Sequence, residues 1–175
     1  MTNSLNTSAE LLSKTKQSAF RNIATPRDVD AVERVVCSTG VFSAAEVAIA
    51  RDLIKEHLAK GADESGYYFL FADGAVGLDG YVCFGPIPAT DARFELYWIA
   101  VDSEAGRKGL GTRLLAAAED AALQMGAKYL IAETSTTPFY SAARSFYRAV
   151  GFSHLGDIAN WHSDTDGLAV FGKRL

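Results

Sequence analysis

The residues best equipped for chemistry lie close together, between positions 95 and 112. Glu95 stands beside Phe94, Tyr97 and Trp98, neighbours that would desolvate a carboxylate and raise its pKa toward neutrality. An apolar run through Ile99, Ala100 and Val101 then ends in Gly106-Arg107-Lys108-Gly109-Leu110-Gly111-Thr112, directly before an alanine- and leucine-rich segment of helical period. A strand that turns through glycines into a helix presents unpaired backbone N–H groups and the positive end of a helix dipole. Such a cradle binds an anion, and its small residues let a phosphate-bearing ligand come close.

Spacing decides which ligand class fits. A dinucleotide fingerprint requires G-x-G-x-x-G, and Gly109-Leu-Gly111-Thr-Arg-Leu114 lacks the third glycine. A nucleoside triphosphate loop requires Lys and then Ser or Thr after its last glycine, where this chain has Thr112-Arg113. Both classes are excluded.

The elements that must position these residues are legible as periods. Val29, Val32, Val35 and Val36 predict a helix, opened by Thr25-Pro26 and stopped at Gly40. Ser43-Ala-Ala-Glu46 has the spacing of a capping box, and Val47, Ala50, Leu53, Ile54, His57 and Leu58 form the stripe of a second helix ending near Gly61. Strands are expected over 67–72, 76–84 and 93–102, with residues 20–24 as a short edge strand. Leu114, Leu115, Ala118, Ala121 and Ala122 mark the helix after the cradle, closed at Gly126. A strand over 128–134, a helix opened by Thr137-Pro138 and closed by Gly151, and a final strand pair over 154–161 and 168–174 complete the order. This is an α/β chain with one mixed sheet and a parallel strand-helix-strand crossover over 93–134.

At 175 residues, 49% apolar and 22% charged, the chain suits one domain over 20–175, preceded by a tail over 1–19 that is mobile or docks through Leu11 and Leu12. A net charge of −4 argues against a nucleic-acid partner. No stretch has the roughly 20 apolar residues of a membrane span. Cys37 and Cys83 follow no secretory leader and are expected as free thiols in the cytoplasm. His57, His154 and His162 form no metal constellation, and Asp164-Thr-Asp166-Gly167 lacks the first aspartate and the distal glutamate of a calcium loop, so no metal is expected.

Two stretches together carry a resemblance. Arg107-Lys108-Gly109-Leu110-Gly111-Thr112-Arg113-Leu114-Leu115 resembles the acetyl-coenzyme A cradle of the GNAT superfamily of N-acetyltransferases, with Gly106 where that pattern has Arg or Gln. Ala143-Arg-Ser-Phe146-Tyr147-Arg-Ala-Val-Gly151-Phe152 is similar to the family's second signature, with Tyr140 where Asn is common. With the element order, the resemblance covers residues 20–175.

The resemblance implies a GNAT-like fold: a twisted, mostly antiparallel mixed sheet flanked by helices. It implies acetyl-coenzyme A as acetyl donor and direct attack by a primary amine. Arg107, Lys108, Gly109, Leu110, Gly111 and Thr112 would hold the pyrophosphate, and Tyr140 and Tyr147 would reach the cofactor's arm. A bulge would free backbone N–H groups along Ile99, Ala100 and Val101 for the arm and thioester. Tyr147 would protonate the departing thiolate. Glu95, four residues before Ile99 and by alternation on the same face, is the first choice for general base; otherwise it is a strand-start carboxylate paired with Arg93. Glu133 is the alternative base or a structural acceptor, and a water can relay the proton for either. A small amine or amino-acid-like acceptor is the preferred partner, with a peptide or protein amine, or a non-catalytic acyl-coenzyme A sensor, as alternatives. A homodimer is compatible with all of these.

Overall fold

The computed structural model describes residues 20–105 and 109–175. The expected tail over 1–19, and Gly106, Arg107 and Lys108, lie outside them.

Ser43 begins helix α2 (Ala44–Lys60) through the capping box its spacing predicts: its hydroxyl accepts the Glu46 N–H, and the Glu46 carboxylate accepts the Ser43 N–H. The start of α1 (Asp28–Ser38) reverses the expected cap. Instead of Thr25 accepting, the Asp28 carboxylate takes the Thr25 N–H at 2.7 Å and its hydroxyl at 2.9 Å. Arg21 forks onto Asp28 and Asp73, tying this corner to the sheet. The edge strand expected over 20–24 is a single bridge, Arg21 to Phe71. A one-turn helix, α3 (Ala62–Ser65), had no sequence period to announce it.

The remaining elements are β1 (Tyr68–Asp73), β2 (Leu78–Pro86), β3 (Arg93–Val101), α4 (Leu110–Gln124), β4 (Tyr129–Ser135), a 3-10 turn (Pro138–Tyr140) where the next helix is expected to open, α5 (Ser141–Ala149), β5 (Ser153–Ser163) and β6 (Asp166–Arg174). They form a six-stranded mixed sheet in the order β1-β2-β3-β4-β6-β5, in which β3 and β4 alone run parallel. Helices cover both faces, as an apolar central strand requires. Val32, Val35, Val36, Ala50 and Ile54 of α1 and α2 pack on Phe71, Tyr81 and Cys83. Leu114, Leu115, Ala118 and Ala122 of α4 pack on the opposite face against Val82, Phe84 and Leu96. Leu114 is fully buried there, so Leu114→Ala should lower unfolding stability by about 2–5 kcal/mol, read from chemical denaturation.

Two irregularities in β3 make the site. The register with β2 runs Cys83 to Trp98 and then Phe84 to Leu96, which leaves Tyr97 as an extra residue in β3. On the other side, β3 pairs with β4 only from Arg93–Tyr129 to Leu96–Ala132, after which the two parallel strands separate.

Alternation and one hydrogen bond show which groups face that opening. Asp102 donates its N–H to the Asp79 carbonyl on the β2 side. Because successive N–H groups point to opposite edges of a strand, Ala100 also faces β2, while Ile99 and Val101 direct theirs into the gap.

The bulge also corrects the expected placement of Glu95. Before Tyr97, Phe94 and Leu96 face the α4 core; after it, Ile99 and Val101 do. Tyr97, Trp98 and Ala100 pack on the opposite, α1–α2 side, which is the face of Glu95. Glu95 and Ile99 therefore lie on opposite faces and meet only through the opening between β3 and β4.

Candidate active site

The gap between β3 and β4 widens into a cleft of about 910 Å3. Its floor is Glu95 through Val101 without Leu96, and one end is closed by Gly111, Ala143, Phe146 and Tyr147. The other end lies under Phe42, Glu46 and Ile49, with Glu133, His162 and Asp166 along the side.

At the first end, Gly109 adopts φ 71° as the residue that starts α4. That left-handed conformation suits glycine, and it lets the chain leave the cradle and enter the helix in one step. Among the described residues no side chain caps this helix start, so its first N–H groups are offered to an anion. Leu110 buries its side chain in the core and can serve a ligand only through its backbone. Thr112 is exposed on the first turn, and Gly111 lines the cleft.

Tyr147 packs among Phe146, Phe152 and Phe171 with ring centroids 5.6–5.7 Å apart, and it is 6% exposed. Burial pushes its phenol up to about 12. Its hydroxyl has no hydrogen-bond partner among the described residues although the ring lines the cleft. It is therefore protonated at neutral pH and available as a donor. Tyr140 has a partner. Its hydroxyl donates to Glu46 across 94 residues of sequence, and its ring lies edge-on to Phe42. Burial first, and then the bond to Glu46, raise its phenol well above the ordinary value.

Glu95 is the strongest electrostatic feature. It is half-buried, and desolvation first, then the nearby charge of Glu133, raises its carboxyl to about 7. The expected alternative, a pair with Arg93, is absent: Arg93 donates to the Asp91 carbonyl and lies 5.9 Å from the Tyr129 ring centroid. Glu133 shares the face of Glu95, because Glu95 registers with Ile131 and Glu133 follows two residues later. It is exposed, and among the described residues it makes no hydrogen bond or ion pair, so it accepts from no helix start there.

The structure thus gathers Glu95, Glu133, Ile99, Ala100, Val101, Gly111, Tyr140 and Tyr147 along one cleft. Sequence reasoning passed over Phe42, Glu46 and Asp166. Glu46 was legible as a capping residue and nothing in its spacing announced a second task. Asp166, which the sequence offers only as part of an incomplete calcium loop, accepts a hydrogen bond from Ser135 at 2.6 Å and lines the cleft. His162 lines it too, whereas Trp161 beside it is 60% exposed. His57 is a packing residue, 2.7 Å from the Tyr67 carbonyl and edge-on to Phe69.

Residues 36–152 match the model of the acetyltransferase (GNAT) family. The chain belongs to the GNAT family of acetyltransferases. A protein from Desulfovibrio desulfuricans described as a GNAT-family acetyltransferase is 38% identical, with 89% of this chain and 97% of that one aligned at a TM-score of 0.85. The fold is shared with an aminoglycoside 6'-N-acetyltransferase in complex with coenzyme A, at 14% identity, TM-score 0.68 and coverage of 89% and 96%. It is shared too with the ribosomal-protein-S18-alanine N-acetyltransferase of Escherichia coli, at 18% identity, TM-score 0.67 and coverage of 89% and 92%. No curated protein gives a significant sequence match.

The acetyl donor of this GNAT enzyme is acetyl-coenzyme A, and the residues present fit it. Among the described residues, the start of α4 has no side-chain cap, Ile99 and Val101 direct N–H groups into the cleft and the Tyr147 hydroxyl has no protein partner, an arrangement compatible with such a donor. No helix among the described residues is long and apolar enough to cross a membrane.

Proposed function

We propose that this protein acetylates the primary amine of a small molecule by direct attack, with Glu95 as general base. The observation that carries the reading is the Glu95 carboxyl, raised to about 7 and, among the described residues, without an ion-pair partner in the cleft. A base with that value is half ionised at neutral pH and strong enough to take a proton from an ammonium as its nitrogen reacts. A pure acyl-coenzyme A sensor would have no use for such a group. The bond from Tyr140 to Glu46 ties together two residues that line the cleft, and a mouth held this way favours a small acceptor over a folded protein surface.

Bound acetyl-coenzyme A would supply the activated acetyl thioester. The start of α4, through Gly109, Leu110, Gly111 and Thr112, would hold the pyrophosphate, with Arg107 and Lys108 adding positive charge. Ile99 and Val101 would offer N–H groups to the arm and to the carbonyl oxygen as it gains negative charge. Glu95 takes the proton that the amine loses, directly or through a water. In balance, an N–C bond forms, a C–S bond breaks, and the ammonium's two lost protons end on the sulfur and in solvent. Tyr147 stabilises the departing thiolate with its hydroxyl. A phenol near 12 is a weaker acid than a thiol of about 8.5, so a hydrogen bond contributes more than complete proton transfer. Tyr147→Phe should therefore lower kcat about tenfold, the scale of one hydrogen bond to a charged group, with little change in the Kd for acetyl-coenzyme A. Unchanged kcat in stopped assays would remove Tyr147 from the mechanism.

The exposed Cys37 and buried Cys83 are both free thiols, which supports a cytoplasmic setting. The test of the activity is release of free thiol from acetyl-coenzyme A against a panel of amines, peptides and polyamines. Turnover with small primary amines supports the proposal. Turnover with peptides alone would transfer it to a protein acceptor, and cofactor binding without turnover on any acceptor would leave a sensor.

A further inference from the structure

The charged groups that line the cleft are mostly carboxylates. Glu46, Glu95, Glu133 and Asp166 line it, and among the described residues no lysine or arginine does; His162 is the one basic group. The walls between these carboxylates are apolar and aromatic, built from Phe42, Ile49, Tyr97 and Trp98, with Phe42 and Trp98 centroids 5.0 Å apart. The indole N–H of Trp98 is buried in that wall with no acceptor among the described residues. Such a cavity repels carboxylates and phosphates, and its aromatic faces attract cations.

Glu46 is the carboxylate most firmly held in place. The Ser43 N–H and hydroxyl both reach one of its oxygens at 2.7 Å, and Tyr140 donates to the other. A carboxylate has about four acceptor positions, so one remains for a ligand. Burial alone would raise its pKa, but the bonds from Tyr140 and Ser43 outweigh that and keep it below the ordinary value. Glu46 thus differs from Glu95: one is fixed as an anion, the other is poised to exchange a proton.

We infer that the acceptor is a diamine, two cationic nitrogens joined by an apolar linker, with Glu46 seating the nitrogen that does not react. The inference rests on the transferase reading, since it places the reacting nitrogen at Glu95. The linker lies along Phe42, Tyr97 and Trp98, and Tyr140, the residue before α5, positions Glu46. An amino acid with a free carboxylate is excluded by the same lining.

The test compares 1,4-diaminobutane, 1-aminobutane and 4-aminobutanoate, equal in length and differing only in the far group. Binding is measured by calorimetry with the full chain saturated in coenzyme A, and thiol release from acetyl-coenzyme A is followed in parallel. The diamine should bind at least about tenfold more tightly than the monoamine, the scale of one charge-assisted hydrogen bond, with the carboxylate weakest. Glu46→Gln should bring the diamine to monoamine ratio close to one. Glutamine still serves a capping box, so α2 should keep its start and the variant its Tm. Equal binding of diamine and monoamine by the wild-type protein, or a ratio that Glu46→Gln leaves intact, would overturn the inference. Preferential diamine binding that Glu46→Gln removes, without thiol release, would uphold Glu46 as the diamine's seat and fail the transferase reading instead.

Discussion

Glu95→Gln should lower kcat by a factor of about 10²–10⁴, the usual contribution of a positioned general base, while leaving acetyl-coenzyme A binding close to wild type. The pH dependence makes the assignment specific. In the wild-type protein kcat/KM should rise with pH through about 7, because Glu95 must be ionised to accept a proton and its carboxyl titrates there. In Glu95→Gln that limb should vanish. Glu133→Gln should move the limb to lower pH, since the charge of Glu133 is the second cause of the shift after burial. If Glu133→Gln abolishes turnover and Glu95→Gln does not, the two carboxylates exchange roles. Stability should report the same group with a fixed sign. The folded value lies above the ordinary 4.5, so the contribution of Glu95 is present below that pH and lost as pH rises through about 7. Thermal melts of wild type and Glu95→Gln across that window check it.

The second large effect is expected at Gly111. A Cβ added there would sit 3.7 Å from Phe146 and 3.8 Å from Val101, ordinary contact distances, so alanine should fit without strain. A longer side chain has nowhere to go but the cleft that Val101, Phe146 and Tyr147 share. Gly111→Leu should therefore fold, with α4 if anything favoured by the better helix former, yet obstruct the donor's arm. An overpacking cost of about 1–3 kcal/mol corresponds to a roughly ten- to hundredfold rise in the Kd for acetyl-coenzyme A. Wild-type affinity in Gly111→Leu, with Gly111→Ala as the control, would place the donor elsewhere.

Much of this was readable from residue order because it depends on local chemistry. The Ser43–Glu46 capping box, the glycines that end α1, α2 and α4, and the apolar run of β3 act over a few residues, and the structure shows each of them. The raised Glu95 carboxyl follows first from its burial, whose direction the apolar stretch around it announces, and then from Glu133 on the neighbouring strand. What escaped depends on partners far away. The Tyr97 bulge exists only in the pairing of β3 with β2, and period-two counting, blind to it, put Glu95 on the face of Ile99. Glu46 meets Tyr140 across 94 residues, so a capping glutamate could not be recognised as part of an acceptor site. Asp166 shows the same limit, since its place in the cleft depends on β6 lying beside β4.

Initial-rate kinetics test direct transfer to an amine most directly. Free thiol release is measured while acetyl-coenzyme A and 1,4-diaminobutane are varied together above pH 7. Direct attack predicts double-reciprocal lines that intersect, with one acetylated amine formed per thiol released. Parallel lines with an acetylated protein, or thiol release that does not depend on amine, would contradict the account.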